Sequence, residues 1–236
     1  MISIIIPVYN QDKKLAKCLT SILEQSFRDF EIIIVNDGSS DQTAEVIAEF
    51  SAKCAKAGIK YLAFEQENRG APAARNRGRA AASGDFLFFC DADEVLNKSC
   101  LEKMINALKG NAAVGFVFSS FRWGNKFFRV GPFSVKKLQE APSIHTSSLI
   151  RAENFPPSGW DENLKRFQDW DLWLTIAEQG GQGIWIPESL FRIHPAGGTM
   201  SSWLPSRVYK LFPFLKTVKK YEAAVKIIKE KHGLIF

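Results

Sequence analysis

Three carboxylates crowd residues 91–94 of the chain, Asp91, Asp93 and Glu94, directly behind the apolar run Phe86-Leu87-Phe88-Phe89-Cys90. Carboxylates this close repel one another unless a cation sits among them, and oxygen ligands select a hard divalent ion, Mg2+ or Mn2+, that also bridges to substrate phosphates. Standing alone, an Asp-x-Asp pair reads equally well as a solvated acidic turn. Arg75 offers a planar guanidinium of the kind that grips phosphate oxygens in pairs, although a lone helix arginine is ordinarily a surface residue. Further along, Gln168-Asp169-Trp170-Asp171-Leu172-Trp173-Leu174 begins an aromatic helix with a carboxylate, which the helix dipole keeps ionised. His194 precedes a glycine-containing stretch that holds Thr199 and Ser201.

These groups need elements that bring them together. The runs at residues 1–10 and 30–41 pattern as buried strands, each delivering polar residues at its C-terminal end: Pro7, Tyr9 and Asn10 after the first, Asp37 after the second. The run 61–64 and the run ahead of Asp91 complete the set. Helical periodicity at residues 13–25 and 42–56 separates the strands, and a small-residue helix opens near Pro72, just after Asn68-Arg69-Gly70. Strands alternating with helices predict a parallel sheet with right-handed crossovers, which gathers all the strand ends on one rim where α/β sheets bind ligands. Residues 111–160 carry no readable motif. Strands are expected near 114–121 and 126–130, and Trp123, Phe127, Phe128 and Trp160 read mostly as core, with sugar stacking as the alternative.

Composition frames the molecule. With 236 residues, 46% hydrophobic and 24% charged, the chain has the make-up of a globular protein with one sizeable core. It has no apolar run of membrane-spanning length and no basic leader before its first apolar run, so it is expected to be cytoplasmic and without a signal peptide. Cys18, Cys54, Cys90 and Cys100 lack metal-ligand spacing and are expected to be reduced, packed thiols. The net charge of +6 lies entirely in residues 203–236, which hold eight Lys or Arg against two Asp or Glu. The tail is expected to form an amphipathic helix over residues 214–231, either docked on the body with its lysines in water or lying on the anionic inner face of a membrane.

Five pieces in order resemble the inverting glycosyltransferases of family 2: Ser3-Ile4-Ile5-Ile6-Pro7-Val8-Tyr9-Asn10, Asn36-Asp37-Gly38-Ser39-Ser40-Asp41, Asn68-Arg69-Gly70 with Ala74-Arg75-Asn76, Asp91-Ala92-Asp93, and the Gln168–Leu174 segment. The resemblance implies the α/β GT-A fold: a Rossmann-like, mostly parallel central sheet flanked by helices, here with a C-terminal helical tail. Residues 1–110 would then form the nucleotide-sugar half, 111–202 the acceptor and catalytic-base half, and 203–236 the basic tail. By the same resemblance Tyr9 stacks on the base and Asp37 reads uracil. Pro7, Asn10, Asn68, Gly70 and Arg75 line the nucleotide site, and Asp91 holds the ribose. Asp93 ligates the metal with His194, Thr199 and Ser201 face the phosphates, and Asp169 is the general base. Asp12 and Gln168 stand where the family commonly has glutamate.

The function so implied is transfer of a hexosyl or N-acetylhexosaminyl group from a UDP-sugar to a hydroxyl of a glycan or lipid-linked acceptor, with Mn2+ or Mg2+, in cell-surface polysaccharide synthesis. Chemistry asks for the same parts, because a departing diphosphate needs its charge neutralised and inversion needs a base on the far face of the sugar. Two alternatives fit less well. A sugar-phosphate nucleotidyltransferase needs a Gly-rich loop where Pro7-Val8-Tyr9-Asn10 stands, and a non-catalytic nucleotide-sugar-binding protein would be expected to lose the carboxylates. The neutral body and absence of a reading motif argue against nucleic acid as a partner.

Overall fold

The computed structural model describes residues 1–194 and 215–234. Its centre is a nine-stranded sheet built on β1 (Ile2–Val8) and β2 (Phe30–Asn36), with every residue of both strands buried. Such strands need cover on both faces, and they pair parallel to one another, to β3 (Tyr61–Glu65) and to β4 (Phe86–Phe89). The intervening helices are α1 (Asp12–Leu23), α2 (Thr43–Lys56) and α3 (Ala71–Ala81). The ends of β1, β2 and β4 therefore open onto one rim, as the alternation of patterns predicts.

The remaining strands change the character of the sheet. They are β5 (Glu94–Leu96), β6 (Phe116–Trp123), β7 (Lys126–Phe128), β8 (Leu149–Arg151) and β9 (Gly183–Ile193). The order is β3-β2-β1-β4-β8-β6-β9-β5, with β7 on β6. β8 runs antiparallel to β4 and β6, and β5 antiparallel to β9. The sheet is thus mixed, parallel through its first four strands and in the β6–β9 pair, where the sequence pattern predicts a mostly parallel one.

Alternate side chains of β1 face two cores. Ile2, Ile4, Ile6 and Val8 pack with α1, α2 and α4 (Cys100–Lys109), while Ile5 packs with Leu87, Phe89, Trp160, Trp170 and Trp173 on the other side. α3 lies close on that second face because Gly78 has no side chain: a Cβ there would stand 2.5 Å from Cγ2 of Ile5. The same face carries α5 (Val135–Glu140) and α6 (Gln168–Glu178). All four cysteines are buried thiols.

The tail helix, α7 (Lys216–Lys231), docks on the body. Val218 and Ile228 are fully buried, Tyr221 meets Phe167 edge to face, and Lys216, Lys219, Lys220 and Lys226 remain exposed. Asp171 explains the anchorage. It is buried in α6, accepts from Lys231 Nζ at 2.8 Å and His232 Nε2 at 2.8 Å, and so holds the end of α7. No helix among the described residues is long and apolar enough to cross a membrane.

Candidate active site

The rim encloses an open cleft of about 780 Å³ whose wall includes Pro7, Tyr9, Asn10, Asp37, Asn68, Gly70, Arg75, Asp91 and Asp93. Nine of the sequence-predicted site residues therefore meet in one place. Asn10 sits at φ +50°, a left-handed turn that asparagine tolerates, and its Oδ1 accepts from the Ser40 N–H at 2.7 Å, tying the β1 loop to the β2 loop. Tyr9 is 48% exposed and presents its ring to the cleft. Asp37 is buried and largely occupied: Oδ1 accepts from Gln66 Nε2 and the Arg69 N–H, and Oδ2 from the Gly70 N–H at 2.8 Å. It shapes the Asn68–Gly70 loop, and one lone pair of Oδ2 is left over.

Arg75 is drawn inward rather than out over the rim. Its Nη2 donates to Asp91 Oδ1 at 2.7 Å, its Nη1 to Gln168 Oε1 at 3.3 Å, and its guanidinium lies 4.7 Å from the Trp160 ring. Burial opposes ionisation of Asp91, but Arg75 and His145 outweigh it and hold the carboxyl below its ordinary value. Gln168 is the second anchor of that guanidinium and the residue before Asp169, so the arginine links the end of β4 to the start of α6. Asp169 itself is half-buried on the wall of a second cavity, of about 280 Å³. Burial pushes its carboxyl above the ordinary range, against the opposing pull of His145 and the Trp170 N–H. A carboxylate raised in this way is a stronger base.

Asp93 has the surroundings of a cation ligand. Its side chain is 14% exposed, burial and then Asp91 push its carboxyl up, and its one ion pair among the described residues, to Lys14 Nζ, is long at 3.4 Å. A poorly neutralised carboxylate facing a cleft fits a hard divalent ion. His194 is exposed, donates its backbone N–H to the Asp93 carbonyl at 2.9 Å, and is not part of the cleft wall. Thr199 and Ser201 lie outside the described residues.

The histidine of the cleft wall is His145, in the stretch where the sequence shows no motif. Its only sequence-level signal is that a polar ring follows Pro142-Ser143-Ile144 and precedes the serines of β8's approach. Among the described residues it alone lines both cavities. Glu94, 1% exposed, lies behind it, with Ser147 Oγ donating to Oε2 and His145 Nδ1 3.4 Å from Oε1. Asp91, Glu94 and His145 each bring one ligand atom to within 4.8 Å of the others. Burial, and after it Asp91, hold Glu94 well above the carboxylate range, whereas burial lowers His145 despite Asp91 and Asp169 beside it. Two of the four aromatic residues singled out from sequence also reach the cavities, Trp123 the larger and Phe128 the smaller, while Trp160 is core and Phe127 is exposed.

A mixed sheet flanked by helices gathers these carboxylates and the arginine at one rim. Residues 3–158 match the model of glycosyl transferase family 2, and the chain belongs to that family. An uncharacterized glycosyltransferase of Rickettsia conorii is 30% identical over 219 residues, covering 87% of this chain and 35% of that protein. The glycosyltransferase GlyA of Streptococcus pneumoniae is 40% identical over 121 residues, 50% of this chain and 17% of its own length. The chain thus spans only part of these relatives. The amylovoran biosynthesis glycosyltransferase AmsB of Erwinia amylovora is 29% identical over 211 residues, with 81% and 69% covered. The fold is that of solved glycosyltransferases: S. aureus TarS residues 1–349, in complex with UDP-GlcNAc, superposes at TM-score 0.72 with 18% identity over 98% of this chain and 72% of that one. The mannosyltransferase PcManGT of Pyrobaculum calidifontis, in complex with GDP-Man and Mn2+, gives 0.69 with 20% identity over 84% and 58%.

Proposed function

We propose that the chain is an inverting glycosyltransferase module that moves a hexosyl or N-acetylhexosaminyl group from a UDP-sugar to a hydroxyl of a glycan or lipid-linked acceptor in cell-surface polysaccharide synthesis. One observation carries this reading: a carboxylate fit to act as base, Asp169, opens on a small cavity that shares His145 with a nucleotide-sized cleft, and Arg75 on the cleft wall bonds Gln168, the neighbour of Asp169. The division into a donor half, residues 1–110, an acceptor half, 111–202, and a basic tail, 203–236, belongs to the same proposal, as does attachment of the exposed lysines of α7 to an anionic membrane face. The UDP and UDP-GlcNAc bound by the TarS neighbour and the role of AmsB in amylovoran synthesis support the donor and product classes.

Each residue has a task in this mechanism. Tyr9 stacks on the uracil ring, and the remaining lone pair of Asp37 Oδ2 accepts its ring N–H. Asp91, oriented by Arg75, accepts from the ribose. A divalent cation held by Asp93, with His194 as the second candidate ligand, supplies Lewis-acid neutralisation of the diphosphate. Asp169 takes the proton from the acceptor hydroxyl as that oxygen bonds to the anomeric carbon. The anomeric bond to the diphosphate breaks in the same step and the nucleoside diphosphate leaves, so a single displacement inverts the centre. Burial raises the Asp169 carboxyl and so makes it the stronger base.

Thermal shift with UDP, GDP and ADP, each with Mn2+, tests the donor assignment. UDP is expected to stabilise most. Equal shifts for the three sink the uridine reading, and transfer assays with UDP-GlcNAc, UDP-glucose and UDP-galactose then test the reaction itself.

A further inference from the structure

We propose that His145 contacts the donor's transferred sugar where the two cavities meet, using Nε2 as a hydrogen-bond donor. The proposal rests on the glycosyl-transfer reading above and names a contact that reading does not include.

The imidazole is fixed from behind. Nδ1 accepts the Ser147 N–H at 3.2 Å and faces Glu94 Oε1 at 3.4 Å, and Ser147 Oγ donates to the other oxygen of Glu94. A ring nitrogen that accepts a backbone N–H carries no proton, so the neutral ring carries it on Nε2. The ring packs against the stacked pair Phe121 and Phe191, at 5.1 and 5.2 Å, and both contacts are tilted. Nε2 makes no hydrogen bond to the described residues, and the half-buried side chain lines both the cleft and the smaller cavity.

Its neighbours say what stands in front of it. His145 interacts electrostatically with Asp91 on the donor side and with Asp169 on the acceptor side. The anomeric carbon must pass between those two carboxylates, so a donor group at this junction faces the sugar that is being transferred. A metal ion held by Asp91, Glu94 and His145 is the competing reading of the same cluster. It is disfavoured because the Arg75 guanidinium already bonds Asp91 at 2.7 Å, Ser147 occupies Glu94, and the Ser147 N–H occupies Nδ1. A cation on Nδ1 would have to displace the Ser147 N–H, and one on Asp91 would lie beside the positive Arg75 guanidinium.

Two amide variants separate the nitrogens. Glutamine places its amide nitrogen near the position of Nε2, and asparagine places its own near Nδ1. The affinities of UDP, UDP-glucose, UDP-galactose, UDP-GlcNAc and UDP-GalNAc, each with Mn2+, are measured by calorimetry on the full chain, together with Mn2+ binding alone. His145→Asn should lower the affinity gained by the preferred UDP-sugar over UDP by about tenfold, as the loss of one hydrogen bond to a polar group implies. His145→Gln should retain most of that gain, and UDP and Mn2+ affinity should be unchanged in both, which also reports an intact cleft. The proposal is overturned if the gain survives in His145→Asn, if UDP affinity falls in both variants, if Mn2+ affinity falls, or if the parent protein binds UDP but gains nothing from any of the sugars. A parent protein that fails to bind UDP sinks the UDP-sugar reading on which the proposal rests.

Discussion

At the residue scale the site divides into groups whose type and spacing announce them and groups that only the fold reveals. Asp91, Asp93 and Arg75 were legible because clustered charge behind a buried strand is costly without a counter-charge, and Asp169 because a carboxylate opens an aromatic helix. Their partners were not. That Arg75 turns inward to Asp91 and Gln168 depends on α6 lying beside β4, and nothing local in either segment states it. His145 was invisible for the same reason, since a lone histidine gains meaning only from Glu94, Ser147 and the two cavities around it. Asp169→Asn keeps size and much of the hydrogen bonding but removes the basic carboxylate. Donor binding should survive and transfer should fall about 10² to 10⁴ fold, or roughly 3 to 5 kcal/mol of barrier, in a steady-state assay. Transfer at the parent rate by a folded variant, under conditions where chemistry limits turnover, would remove Asp169 from the mechanism. Asp93→Asn makes a poorer cation ligand yet relieves the repulsion between Asp93 and Asp91. Mn2+-dependent UDP affinity should drop while the melting temperature holds or rises, and unchanged metal dependence would place the cation elsewhere.

At the element scale the parallel half of the sheet was readable because its strands are buried on both faces and each is followed by a helix with its own periodicity. In the other half only the strands expected near 114–121 and 126–130 were, as β6 and β7. β8 pairs through only three residues and β5 is a three-residue strand, too short for any alternation to show, and the register of β6 against β9 breaks between Ser119 and Arg122. The placement of α3 depends on one feature the sequence shows without explaining, the absence of a side chain at residue 78. Gly78→Ala puts a Cβ 2.5 Å from Ile5 Cγ2 and 3.4 Å from Val35 Cγ2, in a core with no spare room. Overpacking of this kind costs about 1–3 kcal/mol. Helix propensity favours alanine over glycine by roughly 1 kcal/mol, which offsets part of it. Chemical denaturation should show a net loss of stability, and because α3 also carries Arg75 the variant should weaken UDP binding as well. A stabilised protein would mean that the helix can lift off the sheet without strain.

At the scale of the whole molecule, the C-terminal helix ties lysine-rich chain to α6, the helix that carries Asp169. Of the two sequence-level expectations for the tail, docking with the lysines exposed is what the structure shows for α7. The clamp is ionic at its end. His232 places Nδ1 2.7 Å from Glu178 Oε1 and Nε2 2.8 Å from Asp171 Oδ1, and only the imidazolium can donate from both nitrogens at once. Burial opposes that charge, but Asp171 and Glu178 outweigh it and raise the His232 pKa above its ordinary 6.5. A raised folded-state pKa fixes the sign of the pH dependence. The contribution of His232 is fully present below about pH 6.5, the unfolded value, and is lost as pH rises through the higher folded value. Lys231, also raised by Asp161 and Asp171 against the cost of burial, keeps its charge throughout that window, so the effect belongs to the histidine. Thermal melts of the parent protein and of His232→Gln should therefore differ most at about pH 5.5 and converge as the pH rises through the folded value. A difference that stays constant over that range would mean that His232 holds α7 as a neutral ring, through one hydrogen bond and its packing alone.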